Sequence, residues 1–113
     1  MAVNYQLEME RVLKREAGKT PRLLLHCCCA PCASFVLESL SPSFAITAYY
    51  YNPSIDTAAE HARRAGELER LAREMPLANA VRVTVEPYAP SEFYDTVRGL
   101  ESSPEGGRRC LAC

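Results

Sequence analysis

Polar and apolar residues alternate along this chain with two different periods, and the switches between them mark out its elements. From Asn4 to Ala17, single apolar residues (Leu7, Val12 and Leu13) stand among Glu, Arg and Lys, which predicts a helix stopped by Gly18. Leu23, Leu24 and Leu25 then form a short continuous apolar run ending at His26 and Cys27. A run apolar on both faces suits a central strand of a covered parallel sheet, with a buried helical turn as the alternative. Pro31 fits the first turn of a helix running through Phe35, Val36, Leu37 and Leu40, which Ser41, Pro42 and Ser43 break. Phe44 to Tyr51 is rich in β-branched and aromatic residues and reads as a second strand. Asn52-Pro53 ends it, because the residue before proline is pushed from helical geometry and proline cannot donate to a ladder.

Asp56 is the expected N-cap of the longest helix, Thr57 to Met75, whose apolar positions Ala58, Ala62, Ala65, Leu68, Ala72 and Met75 follow a three/four spacing. Val81, Val83 and Val85 alternate with Arg82 and Thr84 as a third strand with one more exposed face. Ser91 to Leu100 predicts a short helix, and Glu101 to Cys113, with Pro104, Gly106 and Gly107, a loop. Strands joined by helical crossovers pair in parallel, so the order α-β-α-β-α-β-α predicts an α/β fold. We expect a three-layer, Rossmann-like sandwich with a small parallel sheet. Ligands in such sheets bind beyond the carboxyl ends of the strands. The cysteine cluster after strand one, Asn52-Pro53 after strand two and Glu86-Pro87 after strand three all fall at that edge.

A length of 113 residues predicts one domain, 1–113. With 48% hydrophobic and 24% charged residues, the composition is that of a globular protein, which excludes a disordered chain. A net charge of −1 excludes a highly basic nucleic-acid coat but not a local patch. Apart from Lys14 and Lys19 every basic residue is arginine, the planar fork that grips phosphate. No apolar run approaches the ~20 residues of a membrane span. Met1 to Lys19 mixes charges with single apolar residues and contains no signal-peptide core. The expectation is a cytoplasmic protein with no membrane partner.

The cysteines change this bland picture. All of them sit in two clusters, Cys27, Cys28, Cys29 and Cys32, then Cys110 and Cys113. A secreted disulfide scaffold would spread them along the chain. Cys29-x-x-Cys32 and Cys110-x-x-Cys113 are paired knuckles of soft thiolate ligands, which select zinc, copper(I) or iron–sulfur clusters. A structural zinc site is the plain reading, but the knuckles lie far apart and Cys27 and Cys28 exceed what one tetrahedral zinc needs. The surplus favours a cluster of iron plus a second metal. A dithiol redox centre at Cys29-Ala30-Pro31-Cys32, entering a helix, is the third reading. Cys27 reads equally as a small buried residue.

At these residues the chain resembles the QueH-type epoxyqueuosine reductases. The resemblance is carried by Leu24-Leu25-His26-Cys27-Cys28-Cys29-Ala30-Pro31-Cys32, Tyr50-Tyr51-Asn52-Pro53-Ser54-Ile55, the helix with Arg63-Arg64, Tyr88 with Phe93, and Pro104-Glu105-Gly106-Gly107-Arg108-Arg109-Cys110-x-x-Cys113. It implies reduction of the epoxide of epoxyqueuosine, in the anticodon loop of certain transfer RNAs, to queuosine. It also implies an oxygen-sensitive 4Fe-4S cluster, a second iron and an external electron donor. Cys28, Cys29, Cys110 and Cys113 match the family's ligand positions, and Cys32 matches a position where some relatives carry aspartate, also a metal ligand. Cys27 has no counterpart. Relatives continue past the second knuckle with more helices, so the resemblance implies a C-terminally truncated form of a longer family domain.

Epoxide removal needs electrons, protons and a Lewis acid. His26, Tyr51 and Glu105 are the candidate proton donors, against a core histidine, a strand-packing aromatic and loop surface. Tyr51, Asn52 and Tyr88 are candidate base contacts, with Arg108 and Arg109 for phosphate. Arg63, Arg64, Arg70 and Arg73 face Glu60, Glu67, Glu69 and Glu74 and read more simply as a solvated face. The rival readings are a noncatalytic zinc-binding module for RNA or protein, and a C-x-x-C dithiol oxidoreductase.

Overall fold

The computed structural model describes residues 2–113. Local sequence signals set the helix ends. The Asn4 side chain accepts from the Leu7 amide, 3.2 Å, to start α1 (Tyr5–Arg15), and Gly18 follows it at φ +81°. Pro31 occupies the first turn of α2 (Ala30–Leu40). Thr57, not Asp56, caps α3 (Ala58–Glu74): its hydroxyl accepts from the Glu60 amide, 3.1 Å, in a Thr-x-x-Glu pattern that places a carboxylate in the first turn. The remaining helices are α4 (Pro90–Val97) and α5 (Arg108–Ala112). The latter replaces the continuous loop expected from Glu101 to Cys113.

The strands β1 (Arg22–His26), β2 (Ala45–Tyr50) and β3 (Arg82–Val85) form one parallel sheet in the order β1-β2-β3. Arg22 pairs with Ala45 and His26 with Tyr49, then Thr47 with Arg82 and Tyr50 with Val85. Both crossovers step the same way, so α2 and α3 pack on the same face. This stepping also corrects the place of β1, which is an edge strand and not the central one. Leu23 and Leu25 turn to the core while Leu24 is 66% exposed, the alternation of a strand covered on one side.

The core lies between sheet and helices, built on Ile46, Ala48 and Tyr50 from β2, Ala33 and Leu37 from α2, and Ala65 and Leu68 from α3. The Tyr50 hydroxyl donates to the His61 carbonyl at 2.8 Å, tying β2 to α3, and the His61 ring is itself buried against Tyr50 and Tyr88. On the opposite face, α4 meets Tyr49 and Tyr51. Helices therefore flank both sides of the sheet, and β2 runs through the middle with its carboxyl end pointing at the site.

Candidate functional site

The backbone of β1 continues one residue beyond the strand, where the Cys27 amide donates to the Tyr49 carbonyl at 2.9 Å. Cys27 is buried in the core, as its lack of a family counterpart suggested. The chain then turns, and Cys29 becomes the N-cap of α2 with Cys32 in its first turn. Cys28, Cys29 and Cys32 line a cavity of about 210 Å³ with His26 and Val36. A hydrogen bond from Cys32 holds the Cys29 thiol below the ordinary range and leaves the Cys32 thiol raised. Burial raises Cys28 and Cys27.

Asn52 organises the neighbouring loop. It is buried, its amide nitrogen donates to the Cys27 carbonyl at 2.9 Å, and its amide oxygen faces His26 Nε2 at 3.1 Å. The Tyr51 carbonyl lies 2.8 Å from the same ring nitrogen. Two acceptors facing Nε2 place the hydrogen there, so a neutral His26 carries its lone pair on Nδ1. Both ends of the Asn52 amide are engaged within the protein, where they fix the turn that carries the cysteines.

A second cavity, of about 390 Å³, shares His26 with the first. Tyr49, Tyr51 and Phe93 give it aromatic walls, with Glu92, Thr96 and Cys113 at its rim. The Tyr51 hydroxyl donates to the Glu92 carboxylate, and that hydrogen bond, with desolvation, pushes the Tyr51 phenol up. Glu92 had no signal in the sequence beyond an acidic residue in the first turn of a helix, an ordinary place for one.

The second knuckle rests on α5. Gly107 starts it, and a Cβ there would lie 2.7 Å from Ser103 Oγ and 3.0 Å from the Pro104 carbonyl, so only glycine fits without movement. The Cys110 sulfur accepts from the Gly106 amide at 3.1 Å. His26, Tyr51, Asn52 and Cys113 thus meet around one cavity, beside Cys28, Cys29 and Cys32 around the other. Cys110, Glu105, Arg108 and Arg109 line neither of them, and Arg108 borders a separate hollow with Ser102 and Ser103. Tyr88 is also outside, its hydroxyl bonded to the Ile55 carbonyl and its ring 4.8 Å from that of His61. Three of the α3 arginines are held in ion pairs: Arg63 with Glu60 and Glu67, Arg64 with Glu60, Arg70 with Glu74. Arg63 and Arg64 hold the Glu60 carboxyl down at about 2.

The donors around the first cavity are soft thiols, the chemistry that suits iron–sulfur or zinc centres. Among the described residues no three His, Cys, Asp or Glu side chains close on one point as a cage. The chemistry of the set fits such a centre.

A family model described as epoxyqueuosine reductase QueH matches residues 23–113. The chain is 36% identical over 115 residues to an epoxyqueuosine reductase QueH of Streptococcus pyogenes serotype M1, covering 98% of this chain and 45% of that protein. Against the protein of that name from Staphylococcus epidermidis the identity is 33% over 117 residues, covering 98% and 49%. Against that from Haemophilus influenzae it is 37% over 128 residues, covering 99% and 50%. The chain spans about half the length of the curated relatives it matches. With the family model covering the strands, both knuckles and the cavity between them, this chain belongs to the QueH epoxyqueuosine reductase family.

Proposed function

We propose that this chain carries the cysteine-bearing part of a cytoplasmic epoxyqueuosine reductase acting on transfer RNA, with electrons drawn from an external donor. The observation that carries the reading is the pair of adjoining cavities that share His26, one lined by thiols and the other by aromatic rings. No helix among the described residues is long and apolar enough to cross a membrane.

Cys28, Cys29 and Cys32, joined by Cys110 and Cys113, would hold a 4Fe-4S cluster and a second iron. Such a centre supplies electrons singly, together with Lewis acidity. Converting the epoxide to an alkene takes two electrons and two protons and releases water. The chain's own part is to bind, orient and protonate. Tyr49, Tyr51 and Phe93 offer aromatic faces to a base turned out of its loop, and stacking of this kind is how single-stranded RNA bases are held. His26 lies on the boundary between thiols and aromatic cavity, and Tyr51 at the cavity wall, so both are within reach of a proton transfer there. Glu105 sits on the exposed loop before α5 and is outside that reach.

Anaerobic purification followed by iron, zinc and acid-labile sulfide analysis tests the reading, with transfer RNA containing epoxyqueuosine and a low-potential reductant as the activity arm. We expect iron with sulfide, lost in Cys28→Ala, Cys29→Ala, Cys110→Ala and Cys113→Ala and kept in Cys27→Ala. Cys32→Asp should keep more iron than Cys32→Ala. Zinc alone would favour the interaction module, and a metal-free chain with a titratable Cys29–Cys32 disulfide the dithiol oxidoreductase.

A further inference from the structure

We propose that Glu92 selects the base, its carboxylate accepting hydrogen bonds from the ring N1–H and the exocyclic 2-amino group of a 7-deazaguanine held in the aromatic cavity. The inference deepens the proposed reductase function and rests on it for the substrate class.

The argument is an account of hydrogen-bonding capacity. Of the polar side chains around the 390 Å³ cavity, His26, Tyr51, Asn52 and Thr96 are engaged within the protein, and Tyr49, Ser54 and Cys113 offer one neutral hydroxyl or thiol each. Both ends of the Asn52 amide are used, on Cys27 and His26. His26 Nε2 is committed to Asn52 and the Tyr51 carbonyl. Thr96 Oγ1 donates to the Glu92 carbonyl at 2.7 Å. Glu92 is different. Its side chain is exposed at the cavity, and only the Tyr51 hydroxyl occupies one of its two oxygens. An ionised carboxylate has about four acceptor sites, so most of its capacity is free for a ligand at the cavity rim.

Epoxyqueuosine is a derivative of 7-deazaguanine. The Watson–Crick edge of that base presents two donors side by side, N1–H and the 2-amino group, the arrangement two carboxylate oxygens accept together. A base splayed from a single strand exposes this edge. An adenine-type base would turn a ring-nitrogen lone pair toward the carboxylate, and a 7-deazahypoxanthine keeps only one of the two donors. The cavity lies within the ~300–1,000 Å³ of small-molecule sites, and Tyr49, Tyr51 and Phe93 supply the stacking surface. The bond from Tyr51 holds the carboxylate in one place, so less side-chain freedom is lost on binding.

The test is nucleoside binding to the full 113-residue chain without turnover. The chain has no tryptophan, so quenching of tyrosine emission reports on the cavity, backed by saturation-transfer NMR. The ligands are 7-deazaguanosine, 7-deazainosine and 7-deazaadenosine. The expected order of affinity is deazaguanosine, then deazainosine, then deazaadenosine, with first and last separated on the order of ten- to a hundredfold. Glu92→Gln should abolish most of that separation, and Glu92→Asp should retain part of it. Tyr51→Phe should weaken binding and preserve the order. Circular dichroism confirms that each variant is folded. Binding that does not discriminate, no binding at millimolar nucleoside, or a preference unchanged in Glu92→Gln would overturn the proposal. Metal analysis and epoxyqueuosine turnover are scored separately. Turnover with a base preference indifferent to Glu92 removes this role alone, whereas a Glu92-dependent preference in a chain that holds only zinc removes the reductase reading and keeps a base-binding site.

Discussion

The two cysteine knuckles obey the same spacing and are built in opposite ways. The first grows out of the core. Cys27 is buried, Cys29 caps an eleven-residue helix whose Ala33 and Leu37 pack under the sheet, and Asn52 ties the turn to β2. The second sits on a five-residue helix with no buried residue, packed against α4, and both of its cysteines are exposed. Identical ligand spacing thus carries no information about rigidity. What fixes a thiol in place is the burial and hydrogen bonding of the backbone beneath it.

The widest separation should appear on truncating one apolar side chain under each knuckle. Leu37 is fully buried, so Leu37→Ala should cost about 2–5 kcal/mol in urea unfolding. Leu111 is 85% exposed, and Leu111→Ala should change stability by no more than about 0.5 kcal/mol. Comparable losses would mean that α5 packs more tightly than described here. A smaller effect is expected from Asn52→Ala, which strands the Cys27 carbonyl and leaves His26 Nε2 with only the Tyr51 carbonyl. A cost of about 1–3 kcal/mol follows from an unsatisfied buried acceptor, together with faster amide exchange at Cys28 and Cys29. Unchanged exchange there would show that the turn holds without its clamp.

The third contrast leaves stability aside and lies within the first knuckle. The hydrogen bond from Cys32 lowers the Cys29 thiol, so its thiolate forms at lower pH than an ordinary thiol near 9. Burial disfavours the thiolate of Cys27, and Cys28 is raised as well. In the metal-free chain, iodoacetamide at neutral pH should therefore modify Cys29 before Cys28 and Cys32, and Cys27 last. Cys32→Ala should move the midpoint of the Cys29 pH–rate profile upward. Peptide mass mapping against pH reads both, and a midpoint unmoved by Cys32→Ala would assign the lowering to another group.

The element types were legible from composition and spacing: Phe44 to Tyr51 is rich in β-branched and aromatic residues, and Ala65 and Leu68 of the stripe expected on α3 are buried, while Ala58 and Ala62 at its start are exposed. The edge position of β1 was hidden, since three consecutive leucines describe a strand apolar on both sides whether or not anything covers the second. Thr57 and Asp56 are both good caps, and the choice between them lies in Glu60 three residues after Thr57. Five residues are too few to show a helical period, so α5 disappeared behind Pro104, Gly106 and Gly107. In the site, the cysteines were legible from their chemistry. The engaged amide of Asn52, the buried ring of His61 and the free capacity of Glu92 depend on contacts between distant segments and have no local signature.

Neighbouring strands in space are also neighbours in sequence, because the sheet order is β1-β2-β3. Synthesis runs from the N-terminus at ~5–20 residues per second, and a domain generally folds as a unit. The residues of β1–α2–β2 and of the Asn52 clamp that follows it are all synthesised before Cys110. The cavity around Cys28, Cys29 and Cys32 is lined by residues between Leu25 and Val36, a single short stretch of chain. The shape of that cavity therefore owes nothing to the segment that carries Cys110 and Cys113, which is made last.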